Sequence, residues 1–170
     1  MTVLNRNPVN TGPLQPTKFL LTFSRISAVQ YFCQTVNLPG VQLGEVVRTT
    51  PFLDMYSPGT KLTYNNLDIS FILDSEMAGW KNLYNWFTSI ADPDGFEKRD
   101  GSIELQQSKH FSDATLTILS SLNNPMLRIN FTNLFPVSMG DIRFDTTSSA
   151  DTIITVDASF RYQSYVYLTA

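Results

Sequence analysis

A long amphipathic strand near the end of the chain is the feature that most limits what this sequence can fold into. Residues 130–167 form a strand that runs into Leu134-Phe135-Pro136, then a short polar segment, then a strand with strict alternation. Successive strand side chains face opposite sides, so the final strand has one apolar and one polar face. The apolar face holds Ile154, Val156, Ala158, Phe160 and Tyr162, and the polar face holds Thr155, Asp157, Ser159, Arg161 and Gln163. A polar face of this length suits a sheet that lines an aqueous space.

The same two-residue alternation predicts six earlier strands. Leu67, Ile69 and Phe71, for example, share one face of a strand, as Ala114 and Leu116 do later in the chain. The Pro58-Gly59 pair indicates a tight reversal between flanking strands. The predicted strands are Lys18–Ile26, Tyr31–Val36, Val41–Thr50, Thr60–Leu73, Asp113–Leu119 and Leu127–Thr132, followed by the final strand.

A change of period predicts one α-helix in the middle of the chain. Apolar residues separated by three, one, three and three positions lie on one helical face. Asp74, Ser75 and Glu76 precede this segment, where a capping side chain and negative charge stabilise a helix N-terminus. Asp92-Pro93-Asp94-Gly95 ends it. The predicted core face of the helix consists of Trp80, Leu83, Tyr84, Phe87 and Ile90.

These patterns together predict a mainly β fold. We expect an antiparallel β-sandwich or partly open barrel of about seven strands with one flanking α-helix. Residues 18–170 form this single domain, and residues 1–17, which contain three prolines, form an extended N-terminal arm. Such a sandwich leaves edge strands exposed, so the edges are either blunted or paired with neighbouring subunits.

Composition argues against a nucleic-acid-binding module and against a membrane protein. The net charge is −3 and only 16% of residues are charged, whereas nucleic-acid-binding domains normally carry a basic patch. No apolar run reaches the ~20 residues needed to span a bilayer. The N-terminus lacks the apolar core of a signal peptide, so we expect folding in the cytoplasm.

Candidate catalytic and metal-binding residues are sparse. Cys33 is the only cysteine and is expected as a small buried apolar residue in a strand, while the only histidine, His110, is expected at the surface. Asp68 and Asp74 would lie roughly 20 Å apart along an extended strand, too far for joint acid–base work. Other acidic residues, such as Asp141, lie near predicted turns. We therefore expect no enzyme, no metal site and no cofactor.

Two segments have more apolar surface than they can bury alone. The N-terminal arm has no core of its own, and the segment from Glu45 to Asn66 carries Phe52, Tyr56 and Tyr64 around its Pro-Gly pair. An isolated two-stranded ribbon cannot bury that aromatic area. The segment is either an ordinary mobile loop or a contact with another copy of the chain.

The order of these features resembles the tube proteins of contractile phage tails. A first strand precedes the turn Asn37-Leu38-Pro39-Gly40, a long hairpin follows over Thr49–Glu76, and a tryptophan-bearing helix begins at Trp80. The chain then closes on the Leu-Phe-Pro strand pair. The resemblance extends over residues 18–167 and includes myophage tail tubes, type VI secretion tubes and the baseplate proteins that initiate a tube.

The resemblance implies a structural role in a virion tail that is assembled in the host cytoplasm. Subunits of this family form hexameric rings in which strands join into one barrel around a channel, and the rings stack. Expected partners are the chain itself, tail sheath, tape-measure and baseplate proteins, with DNA passing unbound through a lumen lined by the polar strand face. The inter-ring contact is expected to involve Phe52, Asp54, Tyr56, Pro58, Gly59, Lys61 and Tyr64.

Alternative functions remain open at this point. A longer Pro-rich arm and an insertion-like loop over Asp92–Ser112 depart from the simplest tube subunit and leave room for a baseplate initiator, a collar or a tail-completion protein. A β-sandwich that binds host-surface glycans is a rival from another class. It would require exposed aromatic residues on a concave face.

Overall fold

The computed structural model describes residues 13–26, 29, 32–91, 110–147, 149 and 152–169. Most of the predicted arm and of the predicted loop over Asp92–Ser112 therefore lie outside the described residues. The described part contains nine strands and one helix: β1 (Phe19–Phe23), β2 (Cys33–Val36), β3 (Val41–Thr49), β4 (Asp54–Tyr64), β5 (Leu67–Ile72), α1 (Ala78–Ile90), β6 (Ser112–Leu119), β7 (Pro125–Met139), β8 (Thr155–Arg161) and β9 (Ser164–Thr169). The predicted antiparallel β fold with a flanking helix is confirmed.

Seven strands form one antiparallel sheet that folds over itself along β7. The order is β1-β6-β7-β8-β5-β2, and β9 also pairs with β7. The first part of β7 pairs with β6 and β9, whereas its last residues, from Phe135, pair with β8. Between the two parts lies Asn133, whose φ of 54° is left-handed, at a shift in the register with β6. This irregularity turns the strand from one half of the sheet to the other.

The two halves of the sheet enclose the core. Phe23 of β1 and Phe160 of β8 come from opposite halves, and their ring centroids are 5.4 Å apart. The alternation predicted for the final strand is confirmed, since Val156, Ala158 and Phe160 are buried while Thr155, Asp157, Arg161 and Gln163 are exposed. Ile154 and Tyr162 on the apolar face, and Ser159 on the polar face, are half-buried.

The helix packs with a face that overlaps the predicted one but is shifted toward Trp86. Its buried residues are Gly79, Leu83 and Trp86, and Phe87 and Ile90 pack against the core from its margin. Trp80 is only half-buried. The prediction was wrong for Tyr84, which is 46% exposed. Trp80 and Tyr84 stack on each other outside the core, with ring centroids 5.2 Å apart and planes 7° apart.

A glycine determines how closely the helix approaches the sheet. A Cβ atom at Gly79 would lie 3.3 Å from the ring of Phe71 in β5, which is tighter than ordinary van der Waals contact. The side chain of Asp74 stabilises the first turn of the helix, because its carboxylate accepts a hydrogen bond from the backbone N–H of Ala78 at 2.9 Å. The predicted capping by the acidic segment is thus confirmed for Asp74.

Trp86 links the helix to the start of β6. Its indole N–H donates to the carbonyl of His110 at 2.9 Å, and the guanidinium carbon of Arg25 lies 5.3 Å from the ring centroid. His110, predicted to be a surface residue, is instead half-buried, and its Nε2 has no hydrogen-bond partner among the described residues. Trp86 lies beside the predicted helix face, whose spacing includes the neighbouring aromatic residues Tyr84 and Phe87 instead.

Replacing Trp86 with Ala is expected to lower the free energy of unfolding by about 3–5 kcal/mol, because it removes a fully buried ring and leaves a cavity. Trp80→Ala is the matched control and should have a much smaller effect, since that ring is half-buried. Urea unfolding followed by circular dichroism measures both. Equal losses for the two variants would mean that the helix is oriented differently.

Candidate assembly surfaces

Strands β3 and β4 form a two-stranded antiparallel hairpin that is separate from the main sheet. Its register runs from Val41 opposite Tyr64 to Thr49 opposite Asp54. Every residue of β3 is exposed, and in β4 only Gly59 and Tyr64 are partly covered. The hairpin therefore extends away from the body of the subunit rather than packing on it.

The hairpin reverses at Thr50–Leu53, so the predicted reversal at Pro58-Gly59 was wrong. Thr50 closes the turn: its backbone N–H donates to the carbonyl of Leu53 at 3.2 Å, and its hydroxyl accepts from the N–H of Leu53 at 3.1 Å. Pro58 lies inside β4, opposite Glu45, next to a register shift. Proline is tolerated at such an irregularity because a backbone donor is not needed there.

Gly59 is required at this irregularity for steric reasons. A Cβ atom there would lie 2.6 Å from the carbonyl oxygen of Gly44 on the facing strand, so the two backbones approach more closely than any side chain permits. The Pro-Gly pair, which is also typical of turns, thus marks a bulge in the middle of an eleven-residue strand.

The hairpin exposes an unusual amount of apolar surface. At the tip, Phe52 is 97% exposed and Leu53 is 71% exposed. A soluble monomer seldom leaves contiguous apolar area of this kind uncovered, and such patches mark interaction sites. The exposed large apolar residues of the hairpin are Val41, Leu43, Val46, Val47, Phe52, Leu53, Met55, Tyr56 and Leu62. Most of these were absent from the predicted contact set, although they are visible in the sequence as apolar residues flanking Phe52.

The residues predicted for the inter-ring contact occupy different parts of the hairpin. Phe52 lies in the turn, Asp54 opposite Thr49, and Tyr56 opposite Val47. Pro58 and Gly59 lie at the irregularity, and Lys61 is exposed closer to the root. Tyr64 differs from the others, because it is half-buried where the hairpin joins the body.

A cluster of aromatic rings anchors the root of the hairpin. The Tyr64 ring lies 5.3 Å from that of Tyr165 and 5.8 Å from that of Tyr162, and Tyr162 in turn meets Phe131 at 5.0 Å. The hydroxyl of Tyr165 donates to the carbonyl of Pro39. Burial, with smaller contributions from Tyr165 and Tyr64, raises the pKa of Tyr162 to about 12. The root is therefore held by uncharged rings.

The polar face of β5 and β8 carries a connected set of side chains. Asn37 accepts from the backbone N–H of Asp68 at 2.7 Å, and Ser159 donates to the Asp68 carboxylate. Asn66 donates to Ser159 at 3.3 Å and accepts from Arg161 Nε at 3.2 Å. These bonds fix the acidic side chain of Asp68 and the basic side chain of Arg161 among neutral amide and hydroxyl side chains.

The described residues include a free cysteine, Cys33, but no cluster of metal-ligating side chains. No group of three or more His, Cys, Asp or Glu side chains that could hold a metal ion occurs among them. Burial raises the pKa of the half-buried Cys33 thiol to about 11, so it stays protonated and unreactive at neutral pH. In the same part of the chain, no helix is both long enough and apolar enough to cross a membrane.

Tyr162→Phe is expected to change the pH dependence of stability. The pKa of Tyr162 is about 12 in the folded protein against 10.0 for an ordinary tyrosine, so its contribution to stability is complete below pH 10 and is lost as the pH rises toward 12. The variant should match the wild type at pH 7 and lose less stability at high pH. Urea titrations at several pH values test this, with the exposed Tyr167→Phe as the control that should follow the wild type.

Gly59→Ala is expected to loosen the hairpin without unfolding the body. The new methyl group would clash with the Gly44 carbonyl, while no hairpin residue belongs to the buried core. Hydrogen exchange of β3 and β4 amides should accelerate, and the global urea midpoint should stay unchanged. Gly44→Ala is the control, because its added Cβ meets its nearest atom at 3.5 Å. Identical exchange in both variants would contradict the steric explanation.

Known proteins share this architecture. A family model described as "Phage tail tube protein" matches residues 10–168, whereas no match is found among curated protein sequences. The tube-terminating cap of the anti-feeding prophage is similar, with a TM-score of 0.69 at 16% identity over 100% of both chains. A chain of the PVC sheath–tube complex, an extracellular contractile injection system, has a TM-score of 0.65 at 15% identity over 93% of each chain.

A chain of the sixfold-symmetrised anti-feeding prophage baseplate reaches a TM-score of 0.59 at 13% identity, over 94% of this chain and 98% of that chain. At these identities, the structural likeness concerns the fold. The family match, by contrast, covers nearly the whole sequence and agrees with the resemblance carried by its order of motifs. The chain belongs to the phage tail tube protein family.

Proposed function

We propose that this protein is the repeating subunit of a tail tube, in which hexameric rings stack to form the channel for DNA. Its mechanism is assembly rather than catalysis. The observation that carries the proposal is the β3–β4 hairpin, which extends from the body and exposes nine large apolar side chains. A ribbon of two strands is marginally stable in water, so the exposed area requires a partner surface.

A stacked tube supplies that partner by repetition. A patch that differs from the surface it contacts generates rings or open filaments, depending on the rotation between copies. We take the projecting hairpin as such a patch, because it stands apart from the main sheet and is joined to the body at its root by the tyrosine cluster. We infer that the hairpin of one ring docks on the adjacent ring through Phe52, Leu53 and Tyr56.

Free strand edges support lateral contacts within a ring. In the described pairings, β9 pairs only with β7, and β2 pairs only with β5. β9 also leaves Val166, Tyr167 and Leu168 exposed. An uncovered apolar edge strand tends to pair with other chains. Pairing between neighbouring subunits would cover these edges and close the sheet around a channel.

The polar face of β8 is our candidate for the channel lining. Thr155, Asp157 and Arg161 are exposed on it, and the nearby Asp68 makes it weakly acidic overall. Affinity for DNA depends mostly on Lys and Arg residues that neutralise phosphates. A surface with a single basic side chain among acidic and neutral ones suits the passage of DNA rather than its retention.

The remaining proposed partners follow from the place of a tube in a contractile tail. They are the sheath outside the tube, the baseplate at one end and the tape-measure protein in the lumen. The similarity of the fold to chains from a sheath–tube complex and a baseplate supports this context. We place the protein in the virion tail, assembled in the host cytoplasm.

A tube cap, terminator or baseplate initiator is the second candidate, since the fold is also that of a tube-terminating cap. A cap would end growth, whereas a tube subunit would continue it. A glycan-binding module is less well supported, because Phe52, the most exposed aromatic residue in the described part of the chain, lies at a protruding turn and not on a concave face.

The proposal predicts that the purified protein assembles into tubes and that Phe52→Ser/Leu53→Ser abolishes them. The double variant should remain folded, because neither residue contributes to the core. Negative-stain microscopy and sedimentation measure tube length, and circular dichroism measures folding. Phe144→Ser is the matched control, since it removes another highly exposed apolar ring outside the hairpin.

The outcomes of this experiment separate the candidates. Long tubes in the wild type and none in the hairpin variant support the tube subunit and its docking hairpin. Closed rings that never stack favour the cap. A wild-type protein that stays monomeric at high concentration contradicts the proposal, as does a hairpin variant with tubes of normal length.

A further inference from the structure

The turn between β6 and β7 presents an apolar side chain on a rigid support. The hydroxyl of Ser120 accepts from the backbone N–H groups of Leu122 at 3.3 Å and Asn124 at 3.2 Å. Two backbone bonds, from Ser120 to Asn124 at 2.8 Å and from Asn123 to Ser120 at 2.9 Å, close the same turn. Leu122 is nevertheless 80% exposed at its tip. A turn fixed by four hydrogen bonds holds this leucine in water, where turns ordinarily place polar residues.

A basic side chain lies directly beside this leucine. The ammonium group of Lys18 donates to the side-chain carbonyl of Asn123 at 2.7 Å, which holds the positive charge at the same end of the molecule. Lys18 has no salt bridge among the described residues. The β6–β7 turn (Ser120–Asn124) together with Lys18 therefore presents an exposed apolar side chain and a positive charge at the same end of the molecule.

A pocket with an aromatic wall and two amide side chains lies at the other end of the same strands, and an acidic side chain bonds to one of its lining residues. It has a volume of about 380 Å³ and is lined by Phe111, Asn133, Phe135, Tyr162 and Gln163. The Phe111 and Phe135 rings meet edge to face at 5.7 Å and form its apolar wall. The carboxylate of Asp113 accepts from the backbone N–H of Asn133 at 3.2 Å, which places a negative charge at the rim. We refer to this as the Phe111 pocket.

The turn and the pocket are placed for head-to-tail contact between copies. Strand β6 begins beside the Phe111 pocket at Ser112 and ends at Leu119, next to the turn. At ~3.3 Å per residue, about 23 Å separates them, so Leu122 cannot enter the pocket of its own chain. Each patch has apolar side chains with one charged side chain nearby, Lys18 at the turn and Asp113 at the pocket, and the two lie at opposite ends of one strand pair. A contact between unlike patches at opposite ends repeats from copy to copy.

We propose that Leu122 of one copy inserts into the Phe111 pocket of the next, with Lys18 facing Asp113 across the rim. This inference rests on the proposed stacking of subunits and adds a contact that does not involve the hairpin. The hairpin is rooted at the pocket end, where Tyr64 packs on Tyr162. One end of each subunit thus carries the hairpin root and the pocket, and the other end carries the turn.

Paired cysteines test the contact directly. In a Cys33→Ala background, Leu122→Cys/Gln163→Cys should yield a ladder of disulfide-linked oligomers on a non-reducing gel. The link can form only between copies, because a disulfide requires Cα atoms within about 7 Å. Leu122→Cys/Thr155→Cys is the matched control, since Thr155 is equally exposed but outside the pocket. It should give no ladder.

Charge reversal provides a second test that leaves the leucine in place. Lys18→Glu and Asp113→Lys should each shorten the tubes and raise the protein concentration needed for assembly several-fold. The double variant should restore assembly toward the wild-type value, because the charges again oppose each other. Circular dichroism of each variant establishes that the subunit is folded.

The outcomes distinguish this contact from the proposed function. A ladder restricted to the 122/163 pair, or restoration by the double charge reversal, supports the contact. Tubes without a ladder and without restoration overturn it and leave the tube assignment intact. If the cysteine pair itself prevents assembly, the charge reversal decides. A wild-type protein that never stacks overturns both.

Discussion

Strand β7 is the element on which the rest of the subunit depends, because it belongs to both halves of the sheet. Its first part completes a sheet with β6 and β9, and its last part completes another with β8. The change takes place at Asn133, whose left-handed backbone is a conformation that asparagine tolerates better than most residues. With one strand shared, the two halves cannot separate without breaking its ladder, and the core between them is enclosed by a single continuous sheet.

The body and the hairpin differ in how they are stabilised. In the body, the apolar strand faces pack together with Trp86 and are buried. Side chains on the polar faces hydrogen-bond to one another. The hairpin has a complete backbone ladder but buries almost none of its side chains. It is tied down only at its root by tyrosine rings. This contrast explains why substitutions in the two parts are expected to affect different properties: stability in the body, and assembly in the hairpin.

Local pattern in the sequence was sufficient for much of the body. The alternation around Val156 and around Leu116 reports which side of a strand faces apolar surroundings, and that signal needs no knowledge of the partner strand. The hairpin turn was misplaced because Pro58-Gly59 favours a bulge as much as a reversal, and the choice depends on the facing Gly44. The predicted helix face was right for Leu83, Phe87 and Ile90, but it included Tyr84 and left out Trp86. Two aromatic stripes were available, and the close approach of Gly79 to Phe71 selects the one that contains Trp86.

Residues proposed to contact other copies are the hardest to identify from sequence, because an apolar residue for a partner looks like an apolar residue for the core. Val47, for example, lies in a predicted strand, and the structure places that strand in a ribbon with no core beside it. His110 shows the reverse error, since a lone histidine in a polar stretch was assigned to the surface although its neighbour Trp86 holds it against the body.

The isolation of the hairpin from the main sheet has a consequence for the timing of growth. A ribbon without a core is ordered at an entropic cost, and a free subunit meets that cost without any compensating contact. In the proposed tube, two free subunits would have to order both ribbons for one docking event, whereas a subunit that arrives at an existing ring would find its acceptor surface already fixed. Nucleation would then be slow and elongation fast. A pool of subunits could persist beside a growing tube, and the place where tubes start would be determined by whatever supplies the first ordered ring.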